Sequence, residues 1–210
     1  MKGDIQVLKS YRRKILANSI PKFIRPIEFQ TESQKTYYDI IGEDKSQIVL
    51  CHGMAGTGKT FISLQKAIED GTPLETDEGE LMDKITLYNE SAIWILNQII
   101  GKAHTKKFIE DGKIEFRVIN HMRGLNLDHM YIILDEAQNI SPLQVKTLLT
   151  RIHDNTKLII QGDLSQCDKY GPHYIKSGFY DIWERLKEVE GVRYMQFTRE
   201  DCVRSGIVSR

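Results

Sequence analysis

Cysteine is scarce in this chain. Cys51, Cys167 and Cys202 stand far apart and are odd in number. That spacing excludes a disulfide framework and the paired ligands of a zinc site, and it favours a reducing compartment. Long hydrophobic runs are missing as well. The longest, such as AIWIL and YIIL, fall far short of the roughly 20 residues of a membrane helix. The opening MKGDIQVLKSYRRK carries charges where a secretory leader would be apolar. A cytoplasmic protein with no membrane association is therefore expected. Net charge is absent too, with 29 basic residues against 29 acidic ones. This argues against a protein that coats nucleic acid along its whole surface. Internal repeats and low-complexity segments do not occur.

What remains is a chain of 210 residues, 40% hydrophobic and 28% charged, which suits one soluble domain with at most an appendage. The charge that cancels overall is unevenly placed. Lys2, Lys9, Arg12, Arg13, Lys14, Lys22 and Arg25 face only Asp4 in the first 25 residues. From Glu69 to Asp83 there are seven acidic residues and no basic one. The expected division is a basic arm over residues 1–28 and a domain over residues 29–210. The arm can meet the acidic stretch of a neighbouring copy, line a channel for RNA, or be a solvated face.

Strands and helices alternate along the rest. TESQKTYYDII reads as a helix, with Thr31 and Gln34 spaced as a capping box. QIVLC is a buried strand, and KTFISLQKAIED is a helix with Phe61, Leu64 and Ile68 as its stripe. EDGTPLETDEGE reads as a loop and ITLYN as a candidate strand. AIWILNQIIGKAHTKKFIEDG is helical, broken near Gly101. KIEFRVI, YIILDEA, KLIIQGD and RYMQF are strands. Ser141 and Pro142 start a helix that turns Val145, Leu148, Leu149 and Ile152 to one face. FYDIWERLKEVEG is a helix with Phe179, Ile182, Trp183, Leu186 and Val189 inward. Apolar strands alternating with helices predict a mostly parallel sheet with helices on both faces. Ligands of such sheets sit at the carboxyl ends of the strands.

One of those ends is CHGMAGTGKT. Gly53, Met54, Ala55, Gly56, Thr57, Gly58, Lys59 and Thr60 satisfy the phosphate-loop pattern between a strand and a helix. Glycines let successive amides turn around an anion, and the helix adds its positive end. Lys59 can reach the β- and γ-phosphates of ATP, and the Thr60 hydroxyl can ligate Mg²⁺. YIILDEAQN delivers Asp135 to support the metal and Glu136 to polarise an attacking water. In IIQGDLSQCD, Gln166 can donate to a γ-phosphate and accept from that water, or be part of an ordinary loop. Arg199 and Arg204 follow the last strand, where each can pair a phosphoryl oxygen or form a surface salt bridge. Gln34 has two readings: a contact to the adenine edge, or the capping partner of Thr31.

Together, TESQK, GMAGTGKT, IEFRVINHMRGLNL, YIILDEAQN, LLTRI, GDLSQCD, ERLKEVEGV and FTREDCVR resemble the PhoH-like family of P-loop ATPases. The resemblance runs from about Gln30 to Arg204. It implies a single RecA-like P-loop NTPase domain of the α/β class, similar to the first motor domain of superfamily 1 helicases. ATP hydrolysis with Mg²⁺, a role in RNA metabolism and ring-shaped hexamers are what the family would bring. Short stand-alone forms are frequent in bacteriophage genomes, so a viral origin, and then a host cytoplasm, is an expectation. Two departures stand out. Where the family has a strand ending in Thr-Arg-Pro, ITLYN ends in Tyr88 and Asn89 and is followed by Glu90; Ser205 and Gly206 replace a usual His-Pro. One motor domain alone lacks the partner that completes a helicase site. A homo-oligomer, a hexameric ring by preference, is expected to supply Arg199 or Arg204 to a neighbour, with RNA or single-stranded DNA as a partner. Two other functions compete: a nucleotide switch with little turnover, and a small P-loop kinase.

Overall fold

The computed structural model describes residues 24–71, 74–77, 82–117, 119–122, 124–169, 173 and 176–203. The basic arm before Ile24, parts of the acidic stretch, and Arg204, Ser205 and Gly206 lie outside the described residues. The elements in chain order are α1 (Glu32–Gly42), β1 (Ile48–His52), α2 (Lys59–Glu69), β2 (Leu74–Asp77), α3 (Met82–Ile100), α4 (Lys102–Glu110) and β3 (Ile114–Phe116). They continue with β4 (Tyr131–Leu134), α5 (Pro142–Leu149), β5 (Lys157–Gly162), α6 (Gly178–Arg185) and β6 (Val192–Gln196). The strands form one sheet in the order β3-β2-β4-β5-β1-β6, and every pairing between them is parallel.

Side chains alternate across that sheet with a period of two, and each set meets helices. Val49, Cys51, Ile133 and Ile159 pack with Tyr37 and Ile41 of α1, Ile62 and Leu64 of α2, and Leu96 and Ile99 of α3. Leu50, Ile132, Leu134, Leu158 and Ile160 pack on the other face, with Val145 and Leu148 of α5 and Phe179 and Ile182 of α6. Both faces are thus covered, as an all-parallel sheet requires. The expected class holds: an α/β, RecA-like P-loop domain. No helix among the described residues is long and apolar enough to cross a membrane.

Several expectations are corrected. ITLYN is not a strand: residues 85–89 lie inside α3, which runs continuously into AIWIL. A five-residue run with three apolar positions does not separate strand from helix, and the apolar residues downstream extend the helical pattern. The missing strand is β2, LETD, inside the acidic stretch read as a loop. Its backbone pairs with β3 on one side and β4 on the other, so the ladder overrides an unfavourable composition. The departure read at Tyr88–Glu90 is therefore a helical segment and not a strand end. Val189 faces solvent, because α6 stops at Arg185 and the chain turns through Gly191 at φ 86°. Phe61 is only partly buried; Ile62, Ala67, Leu64 and Ile68 form the buried face of α2.

The helix starts behave as their caps dictate. Ser141 and Gln144 form a complete capping box on α5. Thr31 caps α1 by accepting from Gln34 N, but the return bond differs from the expected box. Gln34 Oε1 accepts from Gln30 N at 2.7 Å instead, one residue outside the cap. The break at Gly101 is as read: α3 ends at Ile100, and Gly101 caps α4 at φ 79°.

Candidate active site

The strand order brings the candidate residues together. Strand β5 lies between β1 and β4. The phosphate loop after β1, Asp135 after β4 and Asp163 after β5 therefore share one edge of the sheet. Gly53 N donates to Gly162 O at 3.1 Å, joining the loop to the end of β5.

The loop Gly53–Thr57 is tethered at every carbonyl. Lys59 Nζ donates to Gly53 O at 2.7 Å and to Met54 O at 2.8 Å. The Cys202 thiol lies 3.7 Å from Ala55 O, Val203 N donates to Gly56 O at 3.1 Å, and Gln34 Nε2 donates to Thr57 O at 3.1 Å. Each tether fixes a peptide plane, and so fixes the direction of the next N–H. Gly58 then turns the chain at φ 87°, a left-handed angle that a side chain disfavours, and opens α2 with no side-chain cap. The first N–H groups of α2 are left as donors for an anion, at the positive end of the helix.

The second group is a pair of hard oxygen donors. Thr60 Oγ1 donates to Asp135 Oδ2 at 2.6 Å. Magnesium binds with one or two protein oxygens and completes its shell with substrate phosphates and water, so this pair fits that ion. No group of three or more His, Cys, Asp or Glu side chains able to hold a metal occurs among the described residues.

Glu136 follows at φ 51° and ψ 35°, a left-handed conformation for a non-glycine residue. Such strain is typical of functional positions and costs about 1–3 kcal/mol. Gln138 Nε2 donates to Glu136 Oε2 at 2.6 Å, while Gln138 Oε1 accepts from Asp163 N at 3.0 Å. Glu136 is exposed overall, yet partial desolvation, and then the neighbouring Asp135 charge, push its pKa above the usual carboxylate value; the Gln138 hydrogen bond and Lys59 oppose this, and Asp163 adds to it. A carboxylate with a raised pKa is a better proton acceptor. Gly162 is required by this packing. A Cβ there would lie 2.5 Å from Gln138 Oε1 and 3.0 Å from the backbone nitrogens of Ala137 and Gln138.

Asp163 is itself buried. Its Oδ1 accepts from Ser165 N and Ser165 Oγ, and its Oδ2 has no partner. Gln166 ends the short 3-10 turn Leu164–Gln166 with an exposed side chain, and Arg199 opens the turn Arg199–Asp201, also exposed. The network around Lys59 and Thr60 does not include these two side chains. Arg204 lies outside the described residues. Gln34 is buried, with one end of its amide on its own helix entry and the other on the loop. Cys51 is fully buried, and burial pushes its thiol up to about 12, against smaller lowering by Lys59 and Tyr37, so it is an inert core group.

A family model described as PhoH-like protein matches residues 26–72 and 65–210. The chain belongs to the PhoH-like family. It is 33% identical to a PhoH-like protein of Bacillus subtilis (strain 168), over all of this chain and 69% of that protein. It is 34% identical to Protein PhoH of Escherichia coli (strain K12), over 88% of this chain and 57% of that one. A PhoH-like protein of Synechocystis sp. is 33% identical over 88% of this chain and 60% of the relative. The chain thus spans little more than half to two thirds of these relatives. Among solved structures, the large terminase of a thermophilic bacteriophage is similar in fold, with a TM-score of 0.53 at 15% identity, over 87% of this chain and 49% of that one. Family and fold together support a nucleotide-binding function of the ATPase type for this PhoH-like chain.

Four residues of the network escape a reading of motifs. Gln138 stands in YIILDEAQN, two positions past Glu136. Gln161 is an amide directly after the apolar run Leu158–Ile160 of its strand, which signals a buried hydrogen bond. Tyr37 carries no local signal, whereas Asp201 stands three positions after Thr198, the spacing of the capping box that the two form. Asp201 accepts from Thr198 N at 2.8 Å and Thr198 Oγ1 at 3.1 Å, and the nearby hydroxyls of Ser33 and Thr31 help to hold its pKa down. It therefore ties the segment holding Cys202 and Val203 to the start of α1.

Proposed function

We propose that this chain binds ATP with Mg²⁺ and hydrolyses it. The observation that carries the reading is the Thr60–Asp135 contact at 2.6 Å, beside a tethered phosphate loop and next to Glu136. In this reading the loop amides and Lys59 hold the β- and γ-phosphates. Thr60 and Asp135 hold the magnesium ion, which supplies charge neutralisation at the phosphates when bound. Glu136 orients a water and accepts its proton. Gln166 senses the γ-phosphate from its exposed turn. Gln34 contacts the adenine with the second hydrogen of its amide nitrogen, since Thr57 O takes only one.

The same reading extends to assembly. In it the late arginines, Arg199 and Arg204, complete a site on another copy, and the chain acts as a cytoplasmic oligomer, a hexameric ring by preference. Arg199 or Arg204 then reaches a neighbour's nucleotide. RNA or single-stranded DNA is the partner, with the basic arm as its contact, and the activity is helicase-like. A native mass of a monomer with ATP analogue present, together with fast hydrolysis, would contradict the ring. Phosphate release with and without single-stranded RNA and DNA tests the partner: stimulation by one polymer supports it, and indifference to both counts against it. Loss of polymer affinity on deleting residues 1–25, largest at low salt and shrinking as salt rises, would assign the contact to the arm.

A second reading is a switch that binds ATP and turns over little. The observation favouring it is the Gln138–Glu136 bond at 2.6 Å, which occupies one oxygen of the proposed base. Comparing turnover of wild type and Glu136→Gln separates the two readings. Phosphate release without any added acceptor separates both from a kinase.

A further inference from the structure

A chain of hydrogen bonds runs from the core to the metal-binding hydroxyl. Tyr37 OH, on α1, donates to Gln161 Oε1 at 2.9 Å. Gln161 Nε2, on β5, donates to Thr60 Oγ1 at 3.3 Å. Thr60 Oγ1 donates to Asp135 Oδ2 at 2.6 Å. Tyr37 and Gln161 are both 0% exposed. A buried amide in the middle of a parallel sheet is costly unless both its ends are satisfied. Here both ends are used, and one of them is spent on the phosphate-loop threonine.

The direction of the chain is set by its last member. An ionised carboxylate only accepts, so the Thr60 hydrogen must point at Asp135. The Thr60 oxygen has two lone pairs, and the Gln161 N–H takes one. The amide orientation follows: its nitrogen faces Thr60, and its oxygen faces the Tyr37 hydroxyl. A single lone pair of Thr60 is left over, and the rotor has no freedom to redirect it.

Taking the nucleotide reading above as the basis, we propose that Gln161 and Tyr37 are positioning residues for the divalent cation. They lock the Thr60 hydroxyl so that its one remaining lone pair is presented to the ion held with the nucleoside triphosphate. Partners of this kind, one step behind a metal ligand, set its orientation and change metal affinity by about 10–100-fold when lost. Strand β5 thereby takes part in metal binding through a residue that never touches the ion.

The test uses Gln161→Met, which keeps length and volume and removes both hydrogen bonds, and Tyr37→Phe, which removes only the outer one. Affinity for a fluorescent ATP analogue is measured in EDTA and across a magnesium titration, with a thermal melt for each variant. The expected result is unchanged affinity in EDTA, with the magnesium needed for half-maximal tightening raised about tenfold in Gln161→Met. Tyr37→Phe should shift it in the same direction by less, and it serves alone if Gln161→Met does not fold. In a Thr60→Ala background the Gln161 change should add nothing to the magnesium dependence. Equal loss of affinity with and without magnesium, or an unchanged magnesium midpoint in folded variants, overturns the inference. A wild type with no nucleotide affinity overturns the nucleotide reading itself, one whose affinity ignores magnesium overturns its metal half, and this inference falls in either case.

Discussion

The Thr60 hydroxyl and the Asp135 carboxylate, 75 positions apart in sequence, are in direct hydrogen-bond contact at 2.6 Å. Strand β5 lies between the two strands that deliver them, so the sheet order creates the contact. Replacing Thr60 by alanine removes it and strands two groups, Asp135 Oδ2 and Gln161 Nε2. Gln161 is fully buried and Asp135 only partly, so the unpaired Gln161 amide carries most of the cost, about 1–3 kcal/mol. A thermal melt of Thr60→Ala should show that loss, and a magnesium titration of nucleotide binding should lose most of its response.

Glu136→Gln keeps the side chain's shape and removes its basicity. Turnover should fall by about 10²–10⁴-fold, while nucleotide affinity stays within a few fold. Phosphate release read beside equilibrium binding checks both halves. Equal turnover in wild type and variant would remove Glu136 from the role of base.

Gly162→Ala is expected to be costly although the position is neither charged nor catalytic. Its Cβ would sit 2.5 Å from Gln138 Oε1, with backbone nitrogens at 3.0 Å. Overpacking of this kind costs about 1–3 kcal/mol. The turn that carries Glu136 must shift to relieve it, so the melting temperature and the turnover should both drop. Gln138→Ala in the same background should recover part of the melting temperature and none of the turnover.

The Asp201 carboxyl sits below its ordinary value in the fold. Burial works to raise it, and the Thr198 N–H together with the nearby hydroxyls of Ser33, Thr31 and Thr198 outweighs that effect. A carboxylate whose pKa is lower when folded contributes stability above its unfolded pKa of about 3.9. That contribution is lost as pH falls through the folded value. Denaturation midpoints of wild type and Asp201→Ala should therefore differ at pH 7 and converge in acid. Asp201→Ala should also weaken nucleotide binding, because Cys202 and Val203 next to it hold Ala55 and Gly56.

Much of this was legible in the residues in order, and the reason is locality. The phosphate loop, the Ser141 cap and the break at Gly101 depend on neighbours a few positions away, so their chemistry is written in short runs. Strand β2 was not legible. LETD is acidic and flanked by turn residues, and only backbone pairing with two neighbouring strands makes it a strand. The return bond expected from Gln34 to the Thr31 cap goes to Gln30 N instead, and the amide nitrogen of Gln34 tethers Thr57 O, which no spacing along the chain announces. Gln161 and Tyr37 meet across 124 positions, and Asp201 reaches back to Thr31. Such contacts exist only once the sheet has formed.

The central claim is that this loop holds a nucleoside triphosphate together with magnesium. Equilibrium titration of a fluorescent ATP analogue in magnesium buffer, into wild type and Lys59→Ala, tests it most directly. Saturable binding to wild type is expected, with at least about a tenfold loss in the variant, the cost of one charge-assisted contact of about 1.5–3 kcal/mol. Folded wild type with no affinity, or a variant that binds as tightly, would contradict it.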